Sequence, residues 1–258
     1  MKYIQQYLAA EMGPVTGVFS LNLGVILLFP FFGTIELSAF GLSFALLAYI
    51  IMNGFGIIIF FHRYLSHHSF EYKHKWIEQF CLWAGILSGN GSPLGWAGLH
   101  RTHHHHADTV KDPHEAELGF WKIQFLRYHD TSGSKWLARD LITNEYYRFI
   151  HNWYFLIVGS FVGLLFLLFG WPGVYYGFCI PSAAALFSGN LINWIAHHPL
   201  FGYRSYDTND KSRNVWWLLP TLGECWHNNH HQNPTAWTTR EKWWEFDLCG
   251  MFIRLIKV

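Results

Sequence analysis

Apolar residues run in two long tracts, each followed by a stretch in which charges accumulate. Between Met12 and Phe61 the one formally charged residue is Glu36. That tract holds two segments of the roughly 20 residues a helix needs to cross a bilayer. It predicts helices over about 15–32 and 37–61, turning near Gly33–Glu36. Phe149–Tyr203 contains no Asp, Glu, Lys or Arg. It predicts two more spans, about 153–169 and 174–196, broken at Trp171-Pro172-Gly173. Trp153 and Trp171 suit aromatic anchors at the two membrane faces, Pro30 and Pro181 fall inside spans, and Gly159 with Gly163 offers a close-packing face. The second span, about 25 residues or roughly 37 Å long, exceeds a hydrocarbon core of about 30 Å. It should emerge from the lipid with His62 just beyond its end.

The intervening segments have another character. Residues 62–148 gather basic side chains from Arg63 to Arg148, and a second basic segment runs from Arg204 to Lys257. Within the first, Trp76–Leu87 is apolar but too short to span, so it should lie at the interface or be buried. Residues 88–98, SGNGSPLGWAG, form a turn-rich break, and 106–114 a loop. Lys and Arg concentrate in both polar segments and are missing from the opposite turns, so the positive-inside rule puts both segments in the cytoplasm. The expected fold is an all-α integral membrane protein, one domain over 1–258. Four transmembrane helices would carry a cytoplasmic helical cap made of 62–152 and 197–258.

Composition agrees with a mixed architecture. Charged residues make up 14%, against about 25% in an ordinary soluble domain, yet mean hydropathy is only +0.11. A membrane part joined to a sizeable polar part explains both. A net charge of +1 argues against nucleic acid as a partner. Cys81, Cys179, Cys225 and Cys249 are scattered without a CxxC, giving neither a disulfide framework nor a thiolate metal site. The N-terminus, MKYIQQYLAAEMGP, is too polar for a cleavable signal.

The chemistry lies in three histidine boxes, HRYLSH at 62–67, HRTHH at 100–104 and HNNHH at 227–231. On a helix, residues three and four apart share a face, so His100, His103 and His104 should point one way, as should His227, His230 and His231. His62 and His67 are five apart, about 140° around an α-helix, and serve one site only if the helix ends or turns between them. Two spans separate the second box from the third, so all three lie on one side of the membrane. Eight histidines exceed what one ion binds, so two ions are the economical reading. Imidazole suits zinc, copper, iron or nickel. HExxH does not occur, which favours redox chemistry over hydrolysis and iron over the rest. Asp108 and Asp112 are available to accept a proton from a ligating ring, as is Glu224 just before the third box.

The boxes together resemble those of the integral-membrane fatty acid desaturases, in particular the stearoyl-CoA (Δ9-type) branch and its bacterial relatives. HRYLSH, HRTHH and GECWHNNHH correspond to that family's three boxes. FFHRYLSHHSF, DPH at 112–114, NWIAHH at 193–198 and FGYRSYD at 201–207 correspond to their surroundings. The resemblance covers roughly residues 40–235; Cys225 departs from it, standing where the family commonly has Gly. It implies a di-iron centre that uses O2 and two electrons to remove two hydrogens from an unactivated acyl chain. Its ligands, on matching positions, are His62, His67, His100, His103, His104, His227, His230 and His231. A ninth, His197, follows by four residues an Asn193 that in the family holds a water near one iron, and His198 is its rival. The remaining histidines, among them His68, His105, His106, His114, His129 and His151, are read as surface, interfacial or supporting groups.

The acyl tail is expected to enter an apolar tunnel among the spans, with Leu46 and Ile50 at its end wall. The chain has no fused haem-binding loop and no rubredoxin-like cysteine pairs, so a separate donor, ferredoxin or cytochrome b5-like, must dock on the basic face. Acyl-CoA, acyl-carrier protein and membrane lipid all remain open as substrates. The expected location is a membrane, with a bacterial inner membrane the first choice and the site on the cytoplasmic side. Rival readings are a hydroxylase, acetylenase or decarboxylase of the same superfamily, and a metal transporter. The boxes sit at span ends rather than at mid-membrane, which disfavours transport.

Overall fold

The computed structural model of the chain describes residues 13–125 and 137–258. The expectations for His129 and for the N-terminal segment 1–12 fall outside those residues. Every regular element among the described residues is helical: α1 (Gly13–Phe31), α2 (Ala39–Tyr49) and its wider-wound continuation Ile50–Ser66, α3 (Lys75–Leu87), α4 (Pro93–His106), α5 (Phe120–Phe125), α6 (Arg139–Ile142), α7 (Glu145–Val174), α8 (Ile180–Ile195), α9 (His227–Gln232) and α10 (Leu248–Ile256). Short 3₁₀ turns occupy Ala116–Leu118 and Trp216–Thr221, and Tyr175–Cys179 joins α7 to α8.

Two stretches, Ala39–Ser66 and Glu145–Ile195, are long and apolar enough to cross a membrane, and the apolar helix Val15–Phe31 is shorter. The second stretch breaks at Gly170, whose φ of 62° and ψ of −156° lie outside helical space. That is one residue before the expected Trp-Pro-Gly, because glycine reaches this conformation without a Cβ penalty. Pro181 then stands in the first turn of α8, where its missing N–H costs nothing. Along α7 the outward face carries Phe155, Leu156, Leu164, Leu167, Leu168 and Phe169, each more than 45% exposed. A contiguous apolar face of that extent needs lipid or a partner, and the chain is accordingly membrane-associated. Gly159 and Gly163 lie on this open side with nothing within 4 Å of a built Cβ, so among the described residues they pack against no helix.

Between the long helices and the polar cap, α3 lies against Ile50–Ser66. Gly56 and Gly85 allow this, since a Cβ on Gly56 would collide with the Gly85 backbone. Cys81, Leu82 and Ile86 of α3 join Phe60, Phe61, Leu65, Ile150 and Tyr154 in the largest apolar cluster, while Trp76 and Phe80 stay exposed. The break before the second box is shorter than its composition suggests. It covers 88–92 only, because Ser92 caps α4 by accepting from Gly95 N (3.1 Å) and Pro93 opens the helix, an arrangement both residues favour.

Candidate metal centre

Three elements bring the boxes together. The widened helix Ile50–Ser66 carries His62 and ends so that His67 is its cap (φ −109°, ψ −7°). In this π-type winding hydrogen bonds run from i to i+5, so residues five apart lie nearly one turn over the other. The His62 and His67 rings are 5.1 Å apart between centroids. An α-helix would have separated them.

Helix α4 carries the second box and α9 the third. Helix α9 has only six residues and is too short to hold itself together. Asn214 supplies what is missing: its Oδ1 accepts from the backbone N–H groups of Asn228 (3.0 Å) and Asn229 (3.3 Å). Asn229 in turn accepts from Asn214 Nδ2 (2.7 Å) and donates to Glu245 (2.9 Å). The two asparagines inside HNNHH are therefore the anchors of the helix that presents the histidines.

Nine imidazoles converge in two groups. His62, His67, His100, His104 and His230 form one; His103, His197, His227 and His231 form the other, and within each group the candidate ligand atoms lie within 4.8 Å of one another. The boxes do not point one way as expected. Each of α4 and α9 lies between the two groups. His100 and His104 join the first while His103 joins the second, and His227 and His231 join the second while His230 joins the first. The groups touch through His104 and His231, whose rings stack at 4.4 Å. His197 supplies the ninth ring; His198 faces Phe201 (5.3 Å) and Trp194 (6.0 Å) instead.

Four rings are aimed by carboxylates. His62 Nδ1 donates to Glu224 (2.6 Å), His103 Nδ1 to Asp112 (2.8 Å), His197 Nδ1 to Asp108 (2.9 Å) and His231 Nδ1 to Asp210 (2.8 Å). Asp210 was not singled out in the sequence, and it lies three residues beyond the FGYRSYD motif. Neither was the pair of Arg63 and Asp247. Arg63 donates to Asp247 (2.8 and 3.0 Å) and to Glu224 (2.8 Å), tying the first box to the carboxylate that aims it. A cation directly after His62, at the end of a long apolar run, was the available signal.

These contacts fix a proton on each of the four Nδ1 atoms and leave Nε2 as an inward lone pair. His227 Nε2 then lies 3.0 Å from His197 Nε2 and 3.1 Å from His231 Nε2, with at most one proton among them. His103 Nε2 is buried with no hydrogen-bond partner. Lone pairs facing one another call for a cation between them. Burial, reinforced by mutual repulsion, pushes His67, His100, His104, His227 and His230 well below the usual imidazole value. Burial and neighbouring rings likewise lower His231 to about 4, against the pull of Asp210. At His103 burial acts downward too, but Asp112 outweighs it and raises the value. Neutral rings with free lone pairs are the form that binds metal, and two groups of this kind fit two ions.

A cavity opens beside the rings. It is lined by His62, His100, His114 and His227 together with Asn53, Ile57, Ile58, Leu99, Ala185, Leu186 and Ile192. Asn193, in the last turn of α8, is on its wall, and His197 follows just past the end of that helix. Leu46 and Ile50 do not line it. Leu46 is 59% exposed, and Ile50 borders a separate cleft with Gly54, Leu222 and Cys249. His114 stands 5.3 Å from His103.

The fatty acid desaturase family profile matches residues 37–247. The chain is 37% identical over 250 residues to the sn-1 stearoyl-lipid 9-desaturase of Anabaena variabilis, covering 95% of this chain and 90% of that protein. It is 36% identical to the sn-1 stearoyl-lipid 9-desaturase of Synechocystis sp. (83% and 68% covered). It is 34% identical to the Delta-9 acyl-lipid desaturase 1 of Arabidopsis thaliana (83% and 71% covered). The chain belongs to the fatty acid desaturase family and is an oxidoreductase that desaturates an acyl chain.

Proposed function

We propose that this desaturase introduces a double bond at the 9 position of a saturated acyl chain carried by a membrane glycerolipid. The nine histidines would serve as ligands to two iron ions. The observation that carries the reading is the meeting of five-ring and four-ring groups beside a largely apolar cavity that His62, His100 and His227 help to line. The glycerolipid carrier and the position rest on the named activities of the relatives. Acyl-CoA is the competing carrier, since the acyl-CoA 5-desaturase AL21 of Anemone leveillei is 32% identical over 87% of this chain.

Bound iron would supply the oxidising power. One O2, two electrons from a separate ferredoxin or cytochrome b5-like donor and two protons, with the two hydrogens of the chain, give one alkene and two waters. The protein's own groups do the rest. Glu224, Asp112, Asp108 and Asp210 hold the Nδ1 protons and so keep four Nε2 atoms turned inward, which sets ligand orientation. Trp96 lies against His100, centroids 5.0 Å apart and nearly parallel, and screens the first group from water. Ile57, Ile58, Leu99 and Leu186 fix the chain relative to the rings, and positioning of this kind selects the methylenes that react. Asn193, in the last turn of α8 and on the cavity wall, would hold a water beside the second group.

The architecture that goes with this function is a single domain with four spans, α1, α2 with its continuation, α7 and α8. The cap faces the cytoplasm, in keeping with the basic segments. Expression in a host whose lipids are then mapped by mass spectrometry tests the reading. Lipids should gain a Δ9 double bond, and none should form with His103→Ala or His230→Ala. A product that retains oxygen would instead make the enzyme a hydroxylase.

A further inference from the structure

The wall of the histidine cavity has one outward-facing position. Among its described lining residues Gly189 of α8 is exposed, while Asn53, Ile57, Ile58, Ala185, Ile192 and Thr221 are buried. Gly189 is six residues before the end of α8, about 9 Å along the axis, which under the four-span reading is below the interface and within lipid. A Cβ built there meets nothing within 4 Å. Packing does not require glycine, which is a poor residue for a helix interior. Gly159 and Gly163 are equally open, but neither lines a cavity. What distinguishes Gly189 is that the outside and the cavity meet at it.

The surroundings of this position are organised. Against α8 lies the 3₁₀ turn Trp216–Thr221, whose Thr221 lines the cavity and whose Trp216 and Leu219 are 59% and 45% exposed. Exposed Trp beside Leu and Pro is the composition of the boundary between headgroups and acyl chains. Tyr49 ties the rim together. Its hydroxyl lies 3.2 Å from the Pro220 carbonyl and 3.3 Å from the Ser188 hydroxyl, and accepts from Asn53 Nδ2 (2.9 Å). The 3₁₀ turn, α8 and the widened helix are thereby pinned around one gap.

We propose that the gap at Gly189 is a lateral portal through which the acyl chain of a membrane glycerolipid enters the cavity sideways from the bilayer, its headgroup staying at the Trp216–Leu219 rim. This rests on the acyl-lipid reading above and adds the route. A glycerolipid headgroup is too polar to cross the apolar wall, so a chain still attached to it needs an opening at membrane depth. The free space around a Cβ built at 189 lets a side chain start there, so bulk added at this position would narrow the portal.

The test uses full-length protein in lipid nanodiscs containing a phosphatidylglycerol with a photoreactive diazirine on one acyl chain. Wild type is compared with Gly189→Phe and with Gly159→Phe, which adds the same bulk at a lipid-facing glycine away from the cavity. Label is mapped by mass spectrometry of peptides spanning 50–66 and 180–195, iron content is measured, and desaturation of nanodisc lipid and of added stearoyl-CoA is followed. Cavity labelling and lipid desaturation should fall at least tenfold in Gly189→Phe and not in Gly159→Phe, with iron content unchanged in both. Unaltered cavity labelling in Gly189→Phe, or equal losses in both variants, overturns the portal. So does wild-type label confined to residues outside the cavity. Wild-type protein that turns over stearoyl-CoA alone would refute the acyl-lipid reading, while labelling would still report whether lipid enters at Gly189.

Discussion

Replacing Arg63 by Met should destabilise the cap severely. Arg63 and Asp247 are each 1% exposed and paired through two hydrogen bonds. Removing the cation leaves a buried carboxylate without its counter-charge, at a cost of about 3–5 kcal/mol in comparable sites. Asp247 still accepts from Thr238 Oγ1 (2.9 Å), Thr239 N (2.9 Å) and Gly250 N (2.8 Å), so the low end, about 3 kcal/mol, applies. For a chain of this size 1 kcal/mol shifts Tm by about 2–4 °C, giving a fall of roughly 6–12 °C in thermal unfolding of the detergent-purified protein. Asn at 247 preserves the cap on α10 while removing the charge. The double variant Arg63→Met/Asp247→Asn should therefore lose less than the sum of its single changes, by about 0.5–3 kcal/mol. A drop below about 2 °C for Arg63→Met, or additivity of the two changes, would refute the reasoning.

Asp210→Ala frees His231 to turn and should weaken metal retention about 10–100-fold in competition with a chelator; retention equal to wild type would remove Asp210 from the site. Gly56→Ala drives a methyl into the Gly85 backbone and should prevent accumulation of folded protein. Gly159→Ala, with open space around it, should stabilise by about 0.5–1 kcal/mol, and the pair can be compared by fluorescence-detected size exclusion. Burial raises the Asp247 value, but Arg63 and the surrounding N–H groups reverse this and hold it below the usual carboxylate range. A carboxylate depressed by folding contributes stability above its unfolded value of about 3.9 that is lost as pH falls through the folded one. The Tm advantage of wild type over Arg63→Met/Asp247→Asn should shrink below about pH 4, and a constant gap from pH 7 to 3 would contradict this.

Much of this site was legible because histidines repeated at fixed spacing in three places point to metal binding far more than to packing or exposure. The nine rings that meet are eight from the boxes and His197, to which the family resemblance pointed through Asn193 with His198 as its rival. Their partition could not be read from the sequence. Reading α-helical angles onto His62 and His67 demands a break, whereas the wider winding of Ile50–Ser66 brings the rings together, and no residue pattern announces that winding. Likewise HRTHH reads as one face until the helix is known to lie between two groups. Asp210 and Asp247 were hidden because a carboxylate in a polar loop resembles any solvated acid until the fold brings a ring or a guanidinium to it. Leu46 and Ile50 were placed by counting turns along an α-helix, and the cavity instead meets the widened helix at Asn53 and Ile57.

The carboxylates behind the rings are unequally shared. Three stand behind the four-ring group, Asp108, Asp112 and Asp210, and Glu224 alone stands behind the five-ring group, where Arg63 already offsets part of its charge. The two pockets are therefore unequal receptors for a cation of given valence: the four-ring pocket attracts it more strongly, and the five-ring pocket relies on donor number. A metal titration of the purified protein should then proceed in two steps, the four-ring pocket filling first, even though the pockets share a wall of touching imidazoles.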